Sequence, residues 1–250
     1  MKIIVYKNYN QICDLIAKNI VNKINNKNKS VLGLATGDTF IGVYKRLIYY
    51  YNSSKVNFNN VITINLDEYI GELKFENTYK YFMYENFFKH VNIKKKNTYI
   101  PENMSNISKS VNNFQQIIKN HIIDIQLLGI GFNGHIGFNE PNNQLHANTH
   151  VANLNKSTIK DNSRFFEKGS QIPTKAITMG MADIFNAKEI IVVCNNIKKI
   201  NIIRKLLEND LIDTKYPVSL LKIHNNVNLY ILYELYDKIK DNIYNNVIIL

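Results

Sequence analysis

Short runs of apolar, mostly β-branched residues alternate along the chain with longer stretches whose apolar positions recur every three to four residues. The short runs at 2–6, 30–35, 61–66, 124–130, 176–179, 189–194 and 228–232 predict strands. Between them, Ile12, Leu15, Ile16, Ile20 and Ile24 form a helical stripe over 11–24, and 41–51, 78–90, 111–121 and 198–207 read the same way. Strand and helix alternating at this spacing predict βαβ units. The expected fold is α/β, a single doubly wound, mostly parallel, Rossmann-like sheet with helices on both faces. Only 4 Pro and 10 Gly occur, no linker-like stretch divides the chain, and no internal repeat is visible, so 1–250 is expected to be one domain.

Open parallel sheets bind ligands beyond the carboxyl ends of their strands, where backbone donors and helix N-termini converge. Three segments stand at such ends. In Leu34-Ala35-Thr36-Gly37-Asp38-Thr39 a predicted strand runs into a small-residue turn and then a helix. Gly37 permits a tight turn, and the helix start offers N–H groups to a phosphate; the alternative is an ordinary helix start capped by Asp38 or Thr39. In Asn65-Leu66-Asp67-Glu68-Tyr69 two acids follow a buried strand directly. Acids so placed are costly unless hydrogen-bonded or used, so Asp67 is either a working carboxylate or a cap for the next element. The third segment, Leu128-Gly129-Ile130-Gly131-Phe132-Asn133-Gly134-His135-Ile136-Gly137-Phe138-Asn139-Glu140-Pro141, has four glycines in nine residues from Gly129 to Gly137. That backbone can wrap closely around a ligand and turn His135 and Glu140 inward, a proton-carrying imidazole beside a carboxylate that can fix its tautomer.

Other signals change the picture less. Gly129-x-Gly131-x-x-Gly134 fits the dinucleotide fingerprint, but it lies mid-chain and reads on into a loop, so no nicotinamide or flavin is expected. His146 and His150 are four apart, with no third ligand to complete a metal site. Cys13 and Cys194 have no motif spacing and read as small buried residues. Hydrophobic residues make up 45% and charged residues 20% of the chain, which argues against disorder. The net charge of +11 (31 basic minus 20 acidic) comes mostly from scattered Lys. Lys94-Lys95-Lys96 is the one basic run, best read as a solvated loop, so no nucleic-acid partner is expected. No apolar run reaches the ~18 residues of a membrane span, so no membrane partner is expected either. The opening residues read as a first strand rather than a leader, which makes the cytoplasm the expected compartment.

The third segment closely resembles the glucosamine-6-phosphate deaminase family, whose members convert glucosamine 6-phosphate to fructose 6-phosphate and ammonia. Asn65 to Tyr69, Leu32 to Gly37, Asn162-Ser163-Arg164-Phe165-Phe166 and Ala176-Ile177-Thr178-Met179-Gly180-Met181 support the resemblance in the family's order. It implies that His135 opens the sugar ring, that Glu140 orients it, and that Asp67 moves the proton from C2 to C1. It implies a phosphate site formed by Thr36, Gly37, Asp38 and Thr39 with Arg164 and Lys199. No metal or redox cofactor is required. Segment 156–171, which carries Arg164, is the candidate lid.

Three departures from the family's pattern stand out. Asn133 occupies a relay position where some members carry Asp; it can hydrogen-bond to His135 but cannot share a proton as an acid would. Asp38 stands where the family has Ser or Gly, and Phe40 where it has Pro. A carboxylate about 5 Å from a phosphate opposes it by roughly 3 kcal/mol per charge pair at an effective dielectric near 20, so weakened substrate affinity is expected. Asn143, His150 and Ala152 stand where allosteric members carry activator-phosphate ligands, so that activation is not expected, and monomer and homo-oligomer both stay open. The alternatives are a related isomerase or lactonase acting on another sugar phosphate, and a non-catalytic sugar-phosphate sensor.

Overall fold

The chain runs Lys2–Tyr6 (β1), Tyr9–Asn25 (α1), Val31–Leu34 (β2), Asp38–Asn52 (α2), Ile62–Asn65 (β3), Asp67–Ile70 (β4), Tyr79–Asn86 (α3), Thr98–Tyr99 (β5), Ile107–Asn120 (α4), Ile125–Gly129 (β6), His150–Asn153 (β7), Lys156–Asn162 (α5), Lys175–Thr178 (β8), Met181–Phe185 (α6), Ile190–Cys194 (β9), Ile200–Leu207 (α7), Val227–Leu232 (β10) and Tyr233–Asp237 (α8). The computed structural model describes residues 1–103, 105–167 and 171–243, without the side chains of Phe165 and Asn242. Residues 168–170 of the candidate lid therefore lie outside the described residues.

Seven strands form a wholly parallel sheet in the order β1-β10-β9-β6-β2-β3-β5, with helices around it. Its inner strands are buried on both faces, which is why they read as continuous apolar runs; all five residues of Ile190–Cys194 are buried. From β2 the chain steps outward through β3 to β5, whereas from β6 it steps the other way through β9 to β10. The crevice beyond the carboxyl ends of β2 and β6 is thus the topological switch point where such sheets bind ligands. Within the sheet, Gly33 of β2 leaves room for the buried Gln126 side chain of β6, which a Cβ would displace.

A second sheet departs from the expectation of one. The 176–179 run pairs antiparallel, as Lys175–Thr178, between β4 and β7. Strands β4 (Asp-Glu-Tyr-Ile) and β7 (His-Val-Ala-Asn) are short and polar, so no apolar run announces them. The chain changes sheets at Leu66, whose N–H donates to the Leu34 carbonyl at 3.1 Å and whose carbonyl accepts from Met179 N–H at 2.9 Å.

The helix predicted over 78–90 stops earlier. Thr78 caps α3 by accepting from the Tyr81 N–H, but Phe87 leaves helical geometry (φ −147°, ψ −60°). Its ring packs 5.2 Å from Tyr44 and 5.4 Å from Phe58, a gain that continuing the helix would forfeit. A 3₁₀ turn, Phe88–His90, follows. Helix α7 likewise begins after a 3₁₀ turn, Ile197–Lys199. Cys13 and Cys194 are buried, as expected, and no helix among the described residues is long and apolar enough to cross a membrane.

Asp124 pins the amino ends of the two central strands. Its side chain is 2% exposed, accepts from the Val31 N–H at 2.9 Å and pairs with Lys27 and Lys188. Burial by itself would raise its pKa; Lys27, the Val31 amide and Lys188 outweigh burial and lower it. Because the folded carboxyl titrates below its unfolded value of about 3.9, its stabilisation is present above that value and is lost as pH falls through the folded one. Asp124→Asn is expected to cost about 2 kcal/mol in urea unfolding at pH 7, with the difference shrinking towards pH 2. An unchanged midpoint at pH 7 would show that the three contacts contribute nothing net.

Candidate active site

A cavity of about 370 Å³ opens at the switch point, within the range of small-molecule sites. Thr36 to Thr39, Asp67, His135, Arg164 and Lys199 all line it, whereas Asn133 and Glu140 do not and lie behind His135. The segment that carries His135 is a loop that opens no helix after β6, as its residues predicted.

The glycines of that loop have separate duties. A Cβ on Gly131 would sit 2.2–2.4 Å from three atoms of the His135 ring, so glycine is required for the imidazole to fold back over the backbone. Gly134 has φ +87° and Gly137 φ +56°, conformations that side chains rarely adopt. The ring Nδ1 lies 2.7 Å from Asn133 Oδ1, and Asn133 Nδ2 donates to Glu140 Oε2 at 2.7 Å. A carboxylate only accepts, so Asn133 must present its amide nitrogen to Glu140 and its oxygen to His135. The neutral imidazole is thereby fixed with its proton on Nδ1 and Nε2 basic. Glu140 Oε2 is 3.6 Å from Nδ1, so its hold on His135 runs chiefly through Asn133 rather than directly. Burial would raise the Glu140 pKa, but the hydrogen bonding and charge of His135, with Thr158 and Asn133, outweigh it and bring it to about 2.

Asp67 and Glu68 are adjacent, yet strand alternation sends them opposite ways. Glu68 accepts from the backbone N–H groups of Tyr69, Tyr79 and Lys80, each at 2.9 Å, and so holds the first turn of α3. The capping role considered for Asp67 therefore belongs to Glu68. Asp67 faces the cavity at 8% exposure, and no donor among the described residues reaches it. Burial, with a further contribution from the charge of Glu68, raises its pKa to about 8. A Cβ on Gly137 would stand 2.9 Å from Thr178 Oγ1 and 3.5 Å from Asp67 Oδ2, so this glycine leaves room beside the carboxylate.

The opposite end is cationic. Gly37, with φ +93°, is the cap of α2 and Asp38 its first residue, so neither Asp38 nor Thr39 is the N-cap. The Asp38 carboxylate pairs with Arg164 at 3.2 Å, both side chains being more than half exposed. The Lys199 ammonium lies 5.0 Å from the Phe132 ring centroid. Burial and then the nearby Arg164 charge lower its pKa, against the pull of Cys194 and Asp161. Two features escaped the sequence. Tyr69, Tyr79, Phe138 and Phe166 wall the cavity on one side, with Tyr79 and Phe138 stacked at 11°. Thr158 lines it too, with Oγ1 3.5 Å from His135 Nδ1. Tyr69, Phe138 and Phe166 lie in segments the sequence marked for other residues, whereas Tyr79 on α3 and Thr158 on α5 reach the cavity only through the tertiary fold. His146 and His150 stack on each other at 4.1 Å, and no group of three metal-ligating side chains occurs among the described residues.

Comparison with known proteins fits this arrangement. Residues 7–230 match the glucosamine-6-phosphate isomerase/6-phosphogluconolactonase family. A glucosamine-6-phosphate deaminase of Clostridium novyi is 46% identical over 92% of this chain and 96% of its own. One from Clostridium botulinum is 45% identical over 96% of this chain and 99% of its own. A solved structure described as a monomeric glucosamine-6-phosphate deaminase superposes with a TM-score of 0.90 at 36% identity, covering 95% of this chain and 99% of that one. The 6-phosphogluconolactonase of Trypanosoma brucei, at TM-score 0.74 and 15% identity over 95% and 98%, shares the fold. A parallel sheet with its cavity at the switch point, and similarity running through almost the whole length, place this chain in the glucosamine-6-phosphate isomerase/6-phosphogluconolactonase family.

Proposed function

We propose that this chain is a glucosamine-6-phosphate deaminase, acting in amino-sugar catabolism. The observation that carries the reading is a buried carboxylate, Asp67, sharing one cavity with a tautomer-fixed imidazole and a cationic end. Substrate phosphate binds at the cationic end, to Thr36, Gly37 and Thr39 with Arg164 and Lys199. Nε2 of His135 takes the proton of the anomeric hydroxyl and delivers it to the ring oxygen, which opens the ring. Asn133 and Glu140 hold the imidazole for that transfer. Asp67 then removes the C2 proton while the C1 carbonyl oxygen gains a proton given up by the substrate's ammonium, giving an enolamine, and Asp67 returns its proton to C1. The resulting C2 imine adds water and releases ammonia, leaving fructose 6-phosphate. One carboxylate between neighbouring carbons serves both transfers, and no step draws on a redox cofactor. The relatives named above carry the same activity in their names, which supports the assignment.

Asp67 must be ionised to act as the base, yet burial and the neighbouring Glu68 push its pKa up to about 8. The acid limb of kcat/KM is therefore expected near pH 8, with activity falling below it. The kcat limb lies at lower pH, because the bound substrate's ammonium favours the carboxylate. Matched release of ammonium and fructose 6-phosphate from glucosamine 6-phosphate tests the reaction itself. Asp67→Asn should reduce it by about 10²–10⁴. Binding without turnover in the folded parent would replace the enzyme reading with a sensor.

Asp38 competes with substrate phosphate for Arg164. Both side chains are more than half exposed, so screening reduces the opposition well below the 3 kcal/mol expected from the sequence, to at most about 1 kcal/mol. Asp38→Ser is expected to lower KM up to about fivefold while leaving kcat within about twofold. Steady-state kinetics at low salt decide it, and a KM that does not move would remove the competition.

A further inference from the structure

Asn155 occupies the N-cap of α5, where an Asn side chain ordinarily accepts from an amide of the first turn. It makes no such bond. Its Nδ2 instead donates to Glu140 Oε2 at 3.0 Å, and its backbone N–H donates to Oε1 at 3.3 Å. One of the best capping residues is thus turned away from its own helix and onto the largely buried carboxylate of Glu140. Asn155 does not line the cavity, so any effect it has on a bound ligand passes through Glu140.

The path from there to the imidazole is short and directional. Glu140 Oε2 receives Asn155 Nδ2 on one side and Asn133 Nδ2 on the other. Keeping that oxygen in place keeps the Asn133 amide oriented, with Oδ1 towards His135 Nδ1 at 2.7 Å. Without the Asn155 donor the Glu140 carboxylate can rotate, the Asn133 amide can flip, and the imidazole loses the partner that selects its Nδ1–H form. We infer that Asn155 is a positioning residue: it holds Glu140, and through Glu140 and Asn133 it fixes the His135 tautomer. In kinetic terms the inference rests on the proposed deaminase reaction; in structural terms it stands without it.

Asn155→Ser separates the two roles the residue could have. Serine is a strong helix cap but is too short to reach Glu140, so it restores the ordinary cap while deleting the side-chain contact to Oε2; the backbone N–H contact to Oε1 stays in every variant. Asn155→Ala provides neither. Both variants are expected to lose about tenfold in kcat, with KM within about twofold and the thermal midpoint of the Ser variant at or above that of the parent. The second readout is independent of turnover. Imidazole ¹⁵N shifts of ligand-free protein should report the Nδ1–H form of His135 in the parent, and a mixture of both tautomers in the Ser variant. Parental tautomer in the Ser variant would overturn the inference whatever the activity. So would a Ser variant with parental kcat beside an impaired Ala variant, since Asn155 would then matter only as a cap. A parent without deaminase activity whose tautomer still shifts in the Ser variant would leave the positioning role standing and bring down the proposed reaction alone.

Discussion

Leu66 belongs to two sheets at once: its N–H bonds to β2 of the parallel sheet, and its carbonyl accepts from Met179, just past β8 of the antiparallel one. The residue after it begins a strand whose partner is β8, with Asp67 in register with Thr178. That single crossover commits the alternation of everything that follows. Asp67 turns into the cavity, Glu68 turns away to hold the start of α3, and Tyr69 returns to the cavity wall. A shift of one residue in the pairing would exchange the two acids.

Electrostatics follow from how many donors each carboxylate meets. Asp67 has none among the described residues and is buried beside a second acid, so its charged form is disfavoured and its pKa rises to about 8. Glu140 is largely buried too, but the His135 ring, Thr158 and Asn133 outweigh burial, and its pKa falls to about 2. Two carboxyl groups of one site thus come to differ by several powers of ten in acidity through environment alone. One is suited to taking and returning a proton near neutral pH, the other to remaining charged behind an imidazole.

The anion end shows the reverse balance. A helix start, Arg164 and Lys199 all favour a negative group, and Asp38 partly supplies one from within the chain. Exposure keeps that opposition small, which reconciles an unfavourable charge with a retained site.

The alternating pattern of apolar runs and helical stripes was enough to place six of the seven parallel strands and the βαβ order, because both faces of an inner parallel strand are buried and leave an apolar record; two-residue β5 was too short to leave one. The residue types of the three strand-end segments were likewise enough to mark Asp67, His135, Glu140 and the Thr36–Thr39 turn, all of which, except Glu140 behind His135, line one cavity. The antiparallel sheet left only a partial record: β8 showed as an apolar run, while β4 and β7 are polar, and the three four-residue strands come from distant parts of the chain. For the same reason the division of labour between Asp67 and Glu68 and the turn of Asn155 away from its helix were invisible in linear order. Each depends on which backbone donors and side chains arrive from elsewhere in the chain, and those arrivals are set by strand pairing and packing, not by neighbours in sequence.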